Sequence, residues 1–233
     1  MSGLLTLAQM KTEVRAGFGN STEYDARLNN LLTMAQDRLV GRHDFEELKV
    51  RATLGTTAST SDPSADMVIA VPTNMRQLYS VAVIDGANSR KLEPVPSALW
   101  DSLIPYAEQY TRERPSKYRR WGANIELWRV PNAAYTLRGH YSTWATALTS
   151  ETQKSDLERK DQLLILLAQI WLGVLIDRPD RANYFWSVFK TIYEESLGVS
   201  VYKADINKSS TEDRGAADDY WRQPFVTTQP MVD

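Results

Sequence analysis

Five cations fall within nine positions: Arg112, Arg114, Lys117, Arg119 and Arg120, with Tyr118 and Trp121 interleaved or adjoining. Guanidinium and ammonium groups neutralise phosphates and aromatic rings stack on bases. This segment is therefore the candidate contact to DNA or to an acidic partner. The competing reading is a solvated loop and strand face, or one that meets an acidic neighbour such as Asp218-Asp219. The whole-chain balance, 27 Lys and Arg against 29 Asp and Glu, favours that second reading and excludes a strongly basic nucleic-acid binder.

Catalytic chemistry has little to work with. There is no Cys, which removes disulfides, thiolate metal sites and Cys nucleophiles. His43 and His140 are the only imidazoles, so multi-histidine metal sites are not expected. Asp44, Glu46 and Glu47 form one carboxylate cluster, and Glu194 and Glu195 another. Adjacent residues point apart on a helix, and no third ligand follows at a telling spacing. No phosphate-binding Gly loop, Gly-x-Ser-x-Gly elbow or His-x-x-x-His pair occurs. The expectation is a protein that is not an enzyme and carries no metal or cofactor.

The most informative stretch is apolar. Thirteen of the fourteen residues from Leu163 to Ile176 are hydrophobic or Gly, so apolar side chains cover the whole circumference of a helix. At about 1.5 Å per residue that rod is about 21 Å long, too short for a bilayer core of about 30 Å. No membrane partner is expected. About twelve apolar side chains at roughly 1.5–3 kcal/mol each make one wet face cost about 10 kcal/mol. Protein must cover the rod on every side, either within one self-contained bundle or between copies. With only two other long helices to wrap it, the expectation is a subunit interface built from Leu163, Leu166, Leu167, Ile170, Trp171 and Leu175, joined by Phe185, Phe189 and Ile192.

The elements that position these groups can be read from periodicity. Thr6-Leu7-Ala8-Gln9 has the form of a capping box, Leu7, Met10 and Val14 recur at helical spacing, and Gly17 and Gly19 end that helix. A second helix runs from Asp25 to Val40 with Leu28, Leu31, Leu32, Ala35 and Leu39 as its stripe and Gly41 as its stop. The period then changes. Strands are expected over Thr53–Thr60, Met67–Val71 and Gln77–Ile84, the last with Tyr79, Val81 and Val83 on one face. Ser61-Asp62-Pro63-Ser64 and Asp85-Gly86 read as turns, and Ser97–Leu103 as a short helix. Ile125–Val130 and Tyr135–Tyr141 read as a hairpin around Pro131-Asn132. Ser155-Asp156-Leu157-Glu158 reads as a second capping box opening the apolar helix. Arg178-Pro179-Asp180 is a tight joint into a last helix ending at Leu197, closed by Gly198. The classes together make an α+β protein.

From Val199 to Asp233 no period survives, and Ser209-Ser210-Thr211, Pro224 and Pro230 lie among scattered charges. Such an arm cannot bury enough apolar surface to order itself. Extended, it reaches roughly 115 Å at about 3.3 Å per residue. Its aromatics Tyr202, Tyr220, Trp221 and Phe225 are suited to pockets on a partner. The start, Met1-Ser2-Gly3-Leu4-Leu5, lacks the basic and apolar regions of a signal peptide, so none is expected.

One group of motifs resembles the head-to-tail adaptor (connector) proteins of tailed bacteriophages. They are Val71-Pro72-Thr73-Asn74-Met75 leading into Leu78-Tyr79-Ser80-Val81, then Leu92, Trp100, Pro115-Ser116-Lys117-Tyr118, Ile125-Glu126-Leu127-Trp128-Arg129-Val130-Pro131, and Tyr135-Thr136-Leu137 with Tyr141. Their order resembles the family's small antiparallel β-domain inserted into a helical bundle. The resemblance implies N-terminal bundle helices over 1–48, an inserted β-domain over 49–150, a C-terminal helical hairpin over 151–198 and an extended arm over 199–233. It further implies a virion protein assembled in the host cytoplasm, forming a ring, usually of twelve copies, beneath the portal. Its partners would be other copies of itself, the portal, a tail or nozzle protein, and DNA sliding through the lumen without sequence-specific binding. The arm aromatics would dock on the portal. The alternative is a nucleic-acid-binding accessory protein using residues 112–121.

Overall fold

Thr6 starts the first helix as its residue type predicts. In this computed structural model, which describes residues 3–197 apart from positions 105, 107, 108 and 110, its hydroxyl accepts the Gln9 amide at 3.4 Å. The Gln9 side chain in turn accepts the Thr6 amide at 2.9 Å. Helix α1 (Leu7–Ala16) buries Leu7, Met10 and Val14. Of the two glycines after it, only Gly19 takes the left-handed conformation, at φ 77°. Gly17 is right-handed and serves a different need. A Cβ there would lie 2.7 Å from the Phe185 ring and 2.8 Å from Nε2 of Gln169, so only Gly permits that approach.

Helix α2 (Asp25–Arg42) carries the expected apolar stripe but passes through Gly41. The chain leaves the helix at His43, which is extended and donates its amide to Leu39 O at 2.9 Å. One internal Gly costs a helix only about 1 kcal/mol, and Gly41 does not stop this one.

By contact the chain divides into two units: residues 1–47 with 145–233, and residues 48–144. In the second unit, β1 (Lys49–Thr56), β8 (Thr136–Thr143), β3 (Met75–Asp85) and β4 (Asn88–Lys91) form one sheet, antiparallel throughout, in the order β1-β8-β3-β4. The other sheet has the order β2-β7-β6-β5, from β2 (Val68–Ala70), β5 (Glu93–Pro94), β6 (Lys117–Trp121) and β7 (Asn124–Trp128). Within it only β5 and β6 run parallel. One core of Val81, Val83, Leu92, Tyr118, Ile125, Leu127, Tyr135 and Leu137 takes side chains from both sheets. A short turn of helix, α3 (Pro63–Asp66), replaces the expected Ser61–Ser64 turn. It is capped by the Asp62 carboxylate, which accepts from the amides of Ser64 and Ala65. Helix α4 (Ser97–Leu103) stands where its sequence placed it.

Three strand expectations are corrected. Ile125–Val130 and Tyr135–Tyr141 do not pair. β7 pairs with β6 across the two-residue loop Gly122-Ala123, where Gly122 takes φ 57°, and β8 crosses to the other sheet. Both segments bury the same kind of side chain in the same core, which is why they read as partners. The first strand begins at Lys49 and ends at Thr56: the Thr57 amide still reaches Tyr135 O at 2.9 Å, but the Tyr135 amide donates back to the Thr57 hydroxyl, at 2.9 Å, which itself donates to Ala133 O at 3.0 Å. Tyr79 does not share the core face of Val81 and Val83. The register of β3 shifts between Leu78 and Ser80, and the Tyr79 ring sits 5.3 Å from that of His140 instead.

The apolar helix, α5 (Asp161–Leu175), is followed by α6 (Pro179–Leu197). Ser155 caps neither. Its hydroxyl is buried, donates to Gln36 at 2.7 Å and accepts the Leu157 amide at 3.1 Å, and Arg159 then takes φ 56°, which keeps the chain out of helix until Asp161. The α5–α6 joint is a Schellman turn: the Arg178 amide reaches Gly173 O at 2.8 Å, the Asp177 amide reaches Val174 O at 3.3 Å, and Asp177 holds φ 54°. Pro179 opens α6 where its missing N–H costs nothing.

Candidate functional site

The basic segment is built largely into β6 and the loop before it, and its charges are turned to internal use. Arg112 donates to Asp66 at 2.8 Å, to Thr60 O at 2.6 Å and to Pro131 O at 3.1 Å. Burial pushes the Asp66 carboxyl up. The hydrogen bonds from Arg112 and from the Thr60 amide and hydroxyl, with the Arg112 charge, outweigh it and hold the group below its ordinary value. Arg114 pairs with Asp85 at 3.8 Å and Lys117 with Glu93 at 3.3 Å. Arg119 bonds Asp101 and, at 2.6 Å, Glu126. Its guanidinium lies between the Trp100 and Trp121 rings, 5.1 and 4.8 Å from their centroids. Arg120 donates to Arg76 O at 3.1 Å. The Tyr118 ring is in the core, where burial raises its phenol. The segment ties the second sheet to its surroundings. Of its cations, Arg120 alone is exposed, and its bond to Arg76 goes to a carbonyl and not to a carboxylate.

The carboxylate clusters do not converge. Among the described residues no three metal-ligating side chains come together. Glu47 accepts the Glu158 amide at 3.0 Å. The His43 ring hydrogen-bonds the Tyr193 hydroxyl and contacts the Phe45 ring, and His140 lies on a sheet against Tyr79. No described helix is long and apolar enough to cross a membrane.

The apolar rod is where sequence and structure part most. Leu163, Leu166, Leu167, Ile170 and Trp171 are all buried within one chain, Leu167 and Ile170 completely. Helices α1, α2 and α6 of the same copy surround them. Phe185 and Phe189 are buried against the rod as well. These seven side chains are core of a single protomer, not a subunit interface. The expectation undercounted the cover: α1 packs on α5 besides the two longer helices, and Gly17 and Gly173 let neighbours come close. At Gly173 a Cβ would stand 3.1 Å from the Ala182 Cβ. The rod's one polar residue, Gln169, is satisfied by donating to Glu13 O at 3.0 Å. At its start, the buried Asp161 carboxylate accepts from the Leu4 and Leu5 amides at 2.6 and 3.2 Å, stitching the N-terminal segment onto the bundle.

Besides Leu4 in the N-terminal segment, the large apolar side chains that the helical unit leaves outside lie at the end of α5 and on the outer side of α6. Leu175 is 39% exposed, Val174 45% and Tyr184 60%; Ile192 is half-buried. Leu175 joins Arg27, Asn30 and Leu31 around a cavity of about 240 Å³. Of the nine residues expected at an interface, Leu175 and Ile192 alone retain surface. Val174 and Tyr184, exposed as well, are not among the nine. Val174 sat inside the apolar run, where nothing in the pattern marks which turn emerges, and Tyr184 falls on the solvent side of α6 between buried Ala182 and Phe185.

The match to known families decides among these readings. The model of the SU10 adaptor protein family matches residues 5–209, almost the entire chain, spanning the helical unit and the β unit inserted into it. The chain belongs to the SU10 adaptor protein family. This is a phage head-tail adaptor family, and the chain is accordingly a bacteriophage adaptor protein, a virion component. No curated protein matches it. The arm residues Tyr202, Tyr220, Trp221 and Phe225 lie outside the described residues.

Proposed function

We propose that this adaptor forms an oligomeric ring, of twelve copies, between the portal and the tail of a tailed phage and extends the channel through which DNA passes. The observation that carries the reading is the family match across both units. The ring contacts are assigned to apolar side chains that the bundle leaves accessible on α5 and α6, Val174, Leu175, Tyr184 and Ile192, with a second copy as the occupant. Burying such side chains between copies is worth roughly 1.5–3 kcal/mol each. The arm from residue 199 is assigned to the portal, with Tyr202, Tyr220, Trp221 and Phe225 as anchors, and the tail or nozzle protein meets the ring on its other side. DNA slides through without base-specific contact.

Deleting residues 199–233 and measuring retention on immobilised portal tests the arm. Loss of most of the retention is expected. Retention equal to that of the full chain contradicts the docking role.

A further inference from the structure

The β unit holds its charge unevenly. Residues 48–144 contain twelve Lys and Arg against eight Asp and Glu, a net of +4 within a chain of net −2. The carboxylates that pair there are spent around the second sheet and its flanking segments: Asp66 on Arg112, Asp85 on Arg114, Glu93 on Lys117, Asp101 and Glu126 on Arg119, and Glu113 on Arg129. The first sheet is left with the excess. Its four strands carry Lys49, Arg51, Arg76, Arg90, Lys91 and Arg138 and a single acid, Asp85, at the end of β3.

Register gathers Arg51, Lys91 and Arg138 on one face, whereas Arg90 stands opposite the core residue Val83 on the other. Arg138 of β8 stands opposite Thr53 on one side and Ala82 on the other, and Ala82 stands opposite Lys91. One step along, His140 stands opposite Arg51 and Ser80. Directly opposed residues share a face, and Leu137, Gly139 and Tyr141, which alternate with Arg138 and His140, are buried. The face holding Arg51, Arg138, Lys91 and His140 is therefore the outer one, and its Arg and Lys side chains are exposed. Lys49 borders it, 5.7 Å above the Tyr79 ring. With strands about 4.8 Å apart, Arg138 and Lys91 project about 10 Å from each other, and Arg51 stands one strand away on the far side.

We infer that the outer face of the β1-β8-β3-β4 sheet is a binding surface for the phosphodiester backbone of duplex nucleic acid, with Arg51, Lys91 and Arg138 as its phosphate contacts. A protein partner fits less well. Protein interfaces are anchored by large apolar or aromatic side chains in desolvated pockets, and no exposed large apolar residue lies within these four strands. What the face offers is fixed positive charge without interspersed acid, which recognises phosphate and carries no base readout. The inference stands on the sheet alone and does not require a ring.

The full-length chain is titrated into fluorescent duplexes of about 30 base pairs and two unrelated sequences. Three phosphate contacts predict a log–log salt slope of about −2.7, an affinity loss of about 40-fold between 50 and 200 mM salt, and equal binding to both sequences. Arg51→Ser, Lys91→Ser and Arg138→Ser combined abolish most of that slope, and each single change removes about 0.9 of it. Arg51→Lys with Arg138→Lys retains it, and Arg181→Ser, on α6, leaves it unchanged. The melting temperature reports that each variant is folded. Binding that is absent at 50 mM salt overturns the inference. So does a slope unaltered in the triple variant and in the single ones. Tighter binding of polyglutamate than of duplex overturns it in favour of an acidic protein.

Discussion

Arg112 shows how far a residue's type and its role can diverge. It belongs to the densest run of cations in the chain, yet it closes a loop from within, joining Asp66, Thr60 and Pro131. The cluster was legible in the sequence; its partners, 46 positions away for Asp66 and 18 for Asp101, were not. Local charge density says nothing about carboxylates that the fold brings from elsewhere. The pair makes a pH prediction. The Asp66 carboxyl is held below its ordinary value, near 3.9 for an unfolded chain. Its ionised form therefore adds stability above that value, and the contribution is lost as pH falls through the depressed one. Arg112→Ala is expected to lower the melting temperature by several degrees at pH 7, with the gap to the native chain closing below about pH 4. A gap independent of pH would show that packing, not the ion pair, carries the contribution.

Among elements, the helices were the more legible. Thr6 with Gln9, the stripe on α2 and Pro179 at the start of α6 each act through neighbours a turn away, within reach of a local pattern. The failures have a common physical form. Ser155 looked like a cap because of its neighbours in sequence, but its hydroxyl is claimed by Gln36, 119 positions away. Strand pairing is non-local too, and alternation in Ile125–Val130 and Tyr135–Tyr141 marks a shared core without saying which edge each strand joins. The outer-face cations were equally hidden. Arg138 and His140 alternate visibly with Leu137 and Gly139, but Arg51 and Lys91 join them only through register. The rod's apolar coverage marks burial for the turns up to Gly173, but not that its last turn, with Val174 and Leu175, emerges or that its cover comes from the same copy. Leu167→Ala on α5 now discriminates between the two covers. As a core residue of one protomer it should cost about 2–5 kcal/mol in urea unfolding, whatever the protein concentration. A loss seen only where copies associate would restore the rod to an interface.

At the scale of the molecule, a bundle that encloses its own apolar helix is expected to be stable as a solitary protomer, so assembly does not have to precede folding. In the proposed ring, contacts are assigned to modest exposed patches such as Val174, Leu175 and Tyr184 and to the arm. Interfaces of that kind gain most when several are engaged at once on one platform. Membership of the SU10 adaptor protein family supplies the platform's nature, the head-tail junction of a phage. The most direct test is the native mass of the purified chain, alone and after mixing with portal rings. The account predicts a folded species of low copy number alone and, with portal, one discrete complex carrying twelve copies per ring. Portal mass left unchanged by the adaptor would contradict it.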